Sequence, residues 1–292
     1  MAPSPPKPEL LVIVGPTASG KSDLALRVAN RCRGEIVSAD SWTVYRGFDI
    51  GTSKPTITQQ NAVKHHLIDV REATDGFNAP MFKDMAQKAI ADIQRRGKLP
   101  ILTGGTGLYI DSLLYDYGFL ENSSPDERRR LDATPLKALI GLVASQDIDL
   151  TDIDARNKRR VIRAIEAKGR KPTKGELRPG TLIVGLKVDN EVLRKRVELR
   201  TEQMLKAGLE QEVRGLANKY SWEAEPMKGI GYREWREYFE GEQSLDVTKG
   251  RIVSATMGLA KRQRTWFKRN PNIQWFGSVA EADDYIQKVL NT

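Results

Sequence analysis

Eight consecutive residues constrain this chain more than any others: Gly15-Pro16-Thr17-Ala18-Ser19-Gly20-Lys21-Ser22 matches the spacing G-x-x-x-x-G-K-[ST] in full. Context gives the match its weight. The run Leu10-Leu11-Val12-Ile13-Val14 before it predicts a buried parallel strand, and after it Leu24, Leu26, Val28 and Ala29 fall at near-helical spacing, with Gly34 as a stop. A strand, a Gly-rich loop and a helix in that order turn successive backbone N–H groups and a helix N-terminus toward one point, which suits phosphate oxygens. Lys21 adds a mobile positive charge, and the Ser22 hydroxyl suits a Mg²⁺ that bridges the phosphates. Gly15 to Ser22 are thus the predicted di- or triphosphate site, with nucleotides such as ATP among its possible occupants, and Ser22 is the candidate metal ligand.

The rest of the chain supplies a sheet around that loop. Glu35–Asp40 predicts a second strand ending on a carboxylate, and further strands are expected at His66–Val70, Leu99–Thr103 and Thr181–Val188, with a helix over Ala79–Arg96. This alternation predicts an α/β protein with a P-loop NTPase-like, doubly wound parallel sheet. Residues 119–180 carry no predicted strand and are punctuated by Pro, Gly and Ser at both ends, which predicts a helical insertion domain. Beyond Asn190 the pattern is helix-rich, over Glu191–Ala207, Glu210–Tyr220, Tyr232–Glu240 and Leu245–Lys268. The expected organisation is a disordered lead at 1–9, a core at 10–118 and 181–292, and the insertion at 119–180.

A phosphate loop implies phosphate binding and not hydrolysis. A conventional NTPase or kinase needs an acidic residue at a second strand end to hold the metal. Here Leu99–Thr103 runs into Gly104-Gly105-Thr106, with no carboxylate, and Asp40 is the acid that a core strand delivers to the sheet edge where ligands bind in open α/β folds. Asp40 is the candidate base.

Charge points to the partner. The formal net charge is +9 over 292 residues, but its distribution says more than its size. Arg156–Arg178 carries ten Lys or Arg against two acids, Lys249–Arg269 carries seven and no acid, and the remainder is therefore −6. Clustered Lys and Arg with an acidic remainder suit a phosphate backbone. One cysteine, Cys32, excludes an intrachain disulfide, and with only His65 and His66 it cannot build a multi-cysteine zinc site. No apolar run is long enough to span a bilayer and no signal-like segment opens the chain, so a cytoplasmic protein with no membrane partner is expected, and nothing in the sequence demands more than a monomer.

Six blocks in order resemble the tRNA dimethylallyltransferase (tRNA isopentenyltransferase) family: GPTASGKS, then SADSWTVYRGFDIGTSKP (Ser38–Pro55), HHLID (His65–Asp69), LTGGTGLYI (Leu102–Ile110), GIGYRE (Gly229–Glu234) and AKRQRTWF (Ala260–Phe267). The resemblance implies transfer of a dimethylallyl group from dimethylallyl diphosphate to N6 of the adenosine beside the anticodon of tRNA, with Mg²⁺. By the same resemblance Asp40 is the base, Thr106 positions the amine or a diphosphate oxygen, and Lys21 and Arg233 stabilise charge on the leaving diphosphate. It also implies an anticodon stem-loop path along Asp40, Ser41, Trp42 and Thr43, Thr106, Arg128, the run Arg159, Arg160, Val161, Ile162 and Arg163, and the run Lys228, Gly229, Ile230, Gly231, Tyr232 and Arg233. Trp42, Tyr45 and Tyr232 are candidates for stacking on bases. Two alternatives are an adenylate isopentenyltransferase acting on free AMP, disfavoured by the basic clusters, and a P-loop small-molecule kinase, disfavoured by Gly104-Gly105-Thr106. A non-catalytic RNA-binding protein with a relic loop is a third.

Overall fold

The computed structural model describes residues 7–120, 123–151 and 153–291. Six strands, β1 (Leu10–Val14), β2 (Glu35–Ser38), β3 (His65–His66), β4 (Pro100–Gly104), β5 (Thr181–Leu186) and β6 (Ile273–Phe276), form one parallel sheet in the order β3-β2-β4-β1-β5-β6. The two central strands, β1 and β4, are buried along their whole length, as expected for a parallel sheet covered on both faces. On one face Leu11, Ile13, Ile36, Ile101, Val184 and Leu186 pack with Leu24 and Val28 of the helix Lys21–Cys32 and with Ile286 and Leu290 of the helix Val279–Asn291. The helices Ala79–Arg95 and Gly107–Leu114 pack against β4, the first also against β2. The chain leaves β1 toward β2 and β3, returns to β4, and then crosses to β5. The carboxyl ends of β1 and β4 thus bound the crevice where such sheets bind ligands.

Several elements differ from the sequence expectation. The strand expected over His66–Val70 is cut to two residues because Leu67 and Asp69 take left-handed backbone, φ 64° and 55°. Tyr232–Glu240 is split into a 3-10 turn, Arg233–Trp235, and a short helix, Arg236–Phe239. The edge strand β6 and the helix after it were not anticipated, since β6 is four residues long with its two central residues exposed. Of the lead at 1–9, residues 1–6 lie outside the described residues, while Pro8 is buried and the Glu9 amide donates to Gly180 O at 2.8 Å.

Two compact units emerge, Met1–Leu114 with Leu177–Thr292, and Tyr115–Glu176. The smaller contains the helices Pro125–Ala133, Leu136–Ser145 and Lys158–Glu166 around a core of Leu131, Leu139, Val143, Ile148, Val161, Ile162, Ala164 and Ile165. Within it the buried Glu166 carboxylate is paired with Arg128 at 3.1 Å and Arg163 at 3.4 Å and accepts from Ser123 Oγ at 2.7 Å. Among the described residues no helix is long and apolar enough to cross a membrane.

Candidate active site

A cavity of about 550 Å³ opens at the carboxyl edge of the sheet in the larger unit. Thr17 to Asp23 form one wall, Ser38, Asp40 and Thr43 another, and the helices Asn190–Lys206 and Leu245–Phe267 close the far side. The phosphate loop is held in shape from outside itself. Gln263 accepts from the Thr17 amide through Oε1 at 2.7 Å and donates to Gly105 O through Nε2 at 3.1 Å, so one side chain ties the loop to the end of β4. Gly20 has φ 93°, and a Cβ there would meet Val279 Cγ2 at 2.8 Å, so only glycine fits. Ser19 Oγ is buried and has no hydrogen-bond partner, an orphan of the kind an absent oxyanion would satisfy.

Lys21 Nζ donates to Pro16 O at 3.3 Å. Burial, reinforced by nearby Arg200 and opposed by the Asp40 carboxylate, lowers this ammonium to about 8. Two further cations, which sequence reading missed, reach the loop from the helix Asn190–Lys206. Arg196 donates to the Ala18 and Ser19 carbonyls at 3.4 Å each, and Arg200 donates to Thr17 Oγ1 at 3.3 Å and to Ser53 Oγ. Their spacing of four residues was the available signal, but on a highly charged helix it looks like any solvated face. Burial lowers the Arg200 guanidinium below its ordinary value, against the pull of Asp40 and Asp23.

Asp40 faces this cluster from beyond the end of β2. Its Oδ1 accepts from the Trp42 amide at 2.8 Å, a local turn that fixes the carboxylate's direction. Thr106 serves the same loop: its Oγ1 accepts from the Ser41 amide at 3.2 Å, while its own amide donates to Ala39 O at 3.2 Å. Close packing of the two strand ends is obligatory, because a Cβ on Gly104 would lie 2.1 Å from Ala39 O.

Other predicted residues are placed differently. Trp42, Thr43, Ile230 and Gly231 line the cavity, with the Thr43 hydroxyl 3.1 Å from Ser38 Oγ. Arg233, expected beside the leaving group, is not part of the cavity wall: its side chain is 55% exposed and Nε donates to Glu234 Oε1 at 2.9 Å. Tyr232, expected on the RNA path, is a core residue at 1% exposure, packed on Phe48 with its hydroxyl donating to Glu212, and Tyr45 is buried as well. Val161 and Ile162 are fully buried in the smaller unit, because the helix Lys158–Glu166 turns that face inward while Arg159 and Arg160 remain exposed. Lys228 pairs with Glu223 at 3.2 Å.

A metal finds limited protein ligation here. Among the described residues there is no cluster of three or more His, Cys, Asp or Glu, while the Ser22 hydroxyl and the Asp40 carboxylate both face the cavity. That donor set fits a hard cation such as Mg²⁺, which keeps waters and takes its remaining ligands from substrate phosphates.

Fold and site together define an α/β protein with a P-loop-like core whose cavity sets Lys21, Arg196 and Arg200 against the Asp40 carboxylate. A family model described as IPP transferase matches residues 43–270, and the chain belongs to that family. It is 40% identical to the tRNA dimethylallyltransferase of Pediococcus pentosaceus, covering 97% of this chain and 96% of that one, and 41% identical to the enzyme of the same name from Roseiflexus sp., covering 96% and 95%. Among solved structures it is similar to the full-length tRNA isopentenylpyrophosphate transferase of Bacillus halodurans, with a TM-score of 0.75 at 33% identity over 98% of this chain and 97% of that one. A eukaryotic dimethylallyltransferase acting on tRNA gives a TM-score of 0.81 at 26% identity, over 96% of this chain and 76% of its own.

Proposed function

We propose that this protein transfers a dimethylallyl group from dimethylallyl diphosphate to N6 of the adenosine next to the anticodon in tRNA, releasing diphosphate. The observation that carries the reading is the pairing, across one cavity, of a cation-ringed phosphate loop with the Asp40 carboxylate. The names of the relatives support the same reaction. An exocyclic adenine amine is a weak nucleophile because its lone pair is delocalised into the ring. As its nitrogen bonds to the allylic carbon, Asp40 takes the proton, the carbon–oxygen bond breaks, and the electron pair leaves with the diphosphate. Lys21, Arg196 and Arg200 stabilise the charge that grows on that leaving group. The Ser22 hydroxyl would hold a Mg²⁺ together with the diphosphate, and that ion would supply further charge neutralisation. The +8 cluster over Arg156–Arg178 is the proposed seat of the anticodon stem-loop, whose target base must leave its stack to reach a recessed centre.

The direct test offers labelled dimethylallyl diphosphate and Mg²⁺ with tRNA, AMP or ATP. Label enters tRNA and only poorly AMP; label chiefly in AMP, or ATP turnover alone, rejects the proposal.

Two further results are expected. Diphosphate binding needs Lys21 protonated, so affinity for a non-reactive allylic thiolodiphosphate falls as pH rises through about 8. By pH 9.5 the loss, followed by calorimetry, reaches about tenfold or more; a flat profile removes Lys21 from the binding step. The second concerns the nucleic acid. Converting Arg159 and Arg160 to Ala reduces the slope of log affinity for tRNA against log salt by about 1 to 2, while Arg163, which is tied to Glu166, is left alone because its loss disturbs the unit's core. An unchanged slope moves the footprint elsewhere.

A further inference from the structure

Glu212, on the helix Leu209–Lys219, is half-buried and lies outside the cavity wall. Its carboxylate nevertheless takes a donor from each of four groups. Oε2 accepts from the Asp49 amide at 3.2 Å and the Ile50 amide at 2.8 Å, and Oε1 accepts from the Gly51 amide at 3.1 Å and the Tyr232 hydroxyl at 2.7 Å. Three successive backbone N–H groups aimed at one anion form a nest, the device that elsewhere cradles a phosphate. Here the anion is part of the chain.

The two segments gathered by Glu212 are both cavity walls. Gly51, Thr52 and Ser53 line one side and Ile230 and Gly231 another. They are interlocked, since a Cβ on Gly51 would sit 2.5 Å from the Tyr232 ring. Burial, with the adjacent Glu212 carboxylate, holds the Tyr232 phenol far above its ordinary pKa, so it stays a donor. Ser53 in turn meets Arg200, whose guanidinium also reaches Thr17 in the phosphate loop. A continuous line of contacts runs from the carboxylate through the 49–53 turn and Ser53 to Arg200 at the phosphate loop.

We infer that Glu212 is a positioning residue for the diphosphate donor: it clamps the 49–53 turn against Tyr232 and thereby sets Arg200 beside the phosphate loop. This inference rests on the transfer reaction proposed above. A neutral replacement cannot do the same work, because Gln offers one acceptor oxygen and turns an N–H₂ group toward amide donors.

The test uses the full chain with Glu212→Gln and Glu212→Ala. In both, KM for dimethylallyl diphosphate rises about tenfold or more, as expected when a charged binding group is displaced by a fraction of an ångström to an ångström, while kcat per folded enzyme changes less. Acetate, titrated at constant ionic strength against chloride, lowers the KM of Glu212→Ala saturably and leaves wild type unchanged. A lowered melting temperature with an unchanged KM, or a raised KM that acetate does not restore, overturns the assignment. Should the Ala variant fail to fold, Glu212→Gln keeps the side-chain volume and the KM of its folded fraction decides. Calorimetric binding of the thiolodiphosphate analogue keeps the two ideas apart. Wild-type protein that does not modify tRNA refutes the proposed reaction, whereas equal analogue affinity in wild type and variant refutes the role of Glu212 alone.

Discussion

Asp40→Asn lowers dimethylallyl transfer to tRNA by about 100- to 10,000-fold, the range that a positioned general base contributes, while tRNA affinity stays within a few-fold. The substitution is chosen because it separates the proton-accepting role proposed for Asp40 from its part in the turn. Oδ1 accepts from the Trp42 amide and shapes the turn, a role the Asn side-chain oxygen retains. What Asn lacks is the capacity to take a proton from the amine. Single-turnover rates at saturating donor, with tRNA binding measured alongside, distinguish a lost base from a deformed loop. A rate within threefold of wild type would mean that the proton leaves by another route and that Asp40 is only a turn residue.

The second large effect is on stability. Glu35, the first residue of β2, is 2% exposed and its carboxylate gathers Arg96 through two nitrogens, Lys98 at 2.8 Å and His66 Nε2 at 2.7 Å. The hydrogen bonds from Arg96 foremost hold its pKa well below the ordinary carboxylate range, outweighing the opposing effect of burial. Glu35→Gln keeps the volume but removes the counter-charge of Arg96 and Lys98, which are themselves partly exposed, so urea denaturation at pH 7 shows a loss of about 1–3 kcal/mol. The pH dependence has a definite sign. A carboxyl depressed in the folded state stabilises above its unfolded value of 4.5 and loses that contribution as pH falls toward the folded one. Wild type and variant therefore converge in stability below about pH 4.5. A difference under 1 kcal/mol at pH 7, or a gap that widens in acid, refutes this account.

The phosphate loop and the strand before it were legible because their determinants are local: a run of apolar residues, glycines where the backbone must turn, and a lysine at a fixed offset. Asp40 was legible as the residue a short strand leaves at the sheet edge. Arg196 and Arg200 were not, since a pair of arginines four apart is common on exposed helices and only the fold brings these two to the loop. Val161 and Ile162 differ for another reason. They join the expected RNA path only through the consecutive run that the resemblance implies, but each helical residue turns about 100° from the last, so a basic stretch that presents one side must bury the other. Tyr232 shows the same limit, as its neighbours Ile230 and Gly231 reach the cavity while its own ring fills the core beneath them.

The bond from the Thr17 amide to Gln263 spans 246 positions of chain. During synthesis the side chain that holds the loop follows it only after β2 to β5 and the intervening unit have been made. Contacts of such separation form late. A growing chain therefore carries a complete phosphate-loop motif before the cavity beside it is finished, and the loop takes its final shape only once the helix Leu245–Phe267 has docked.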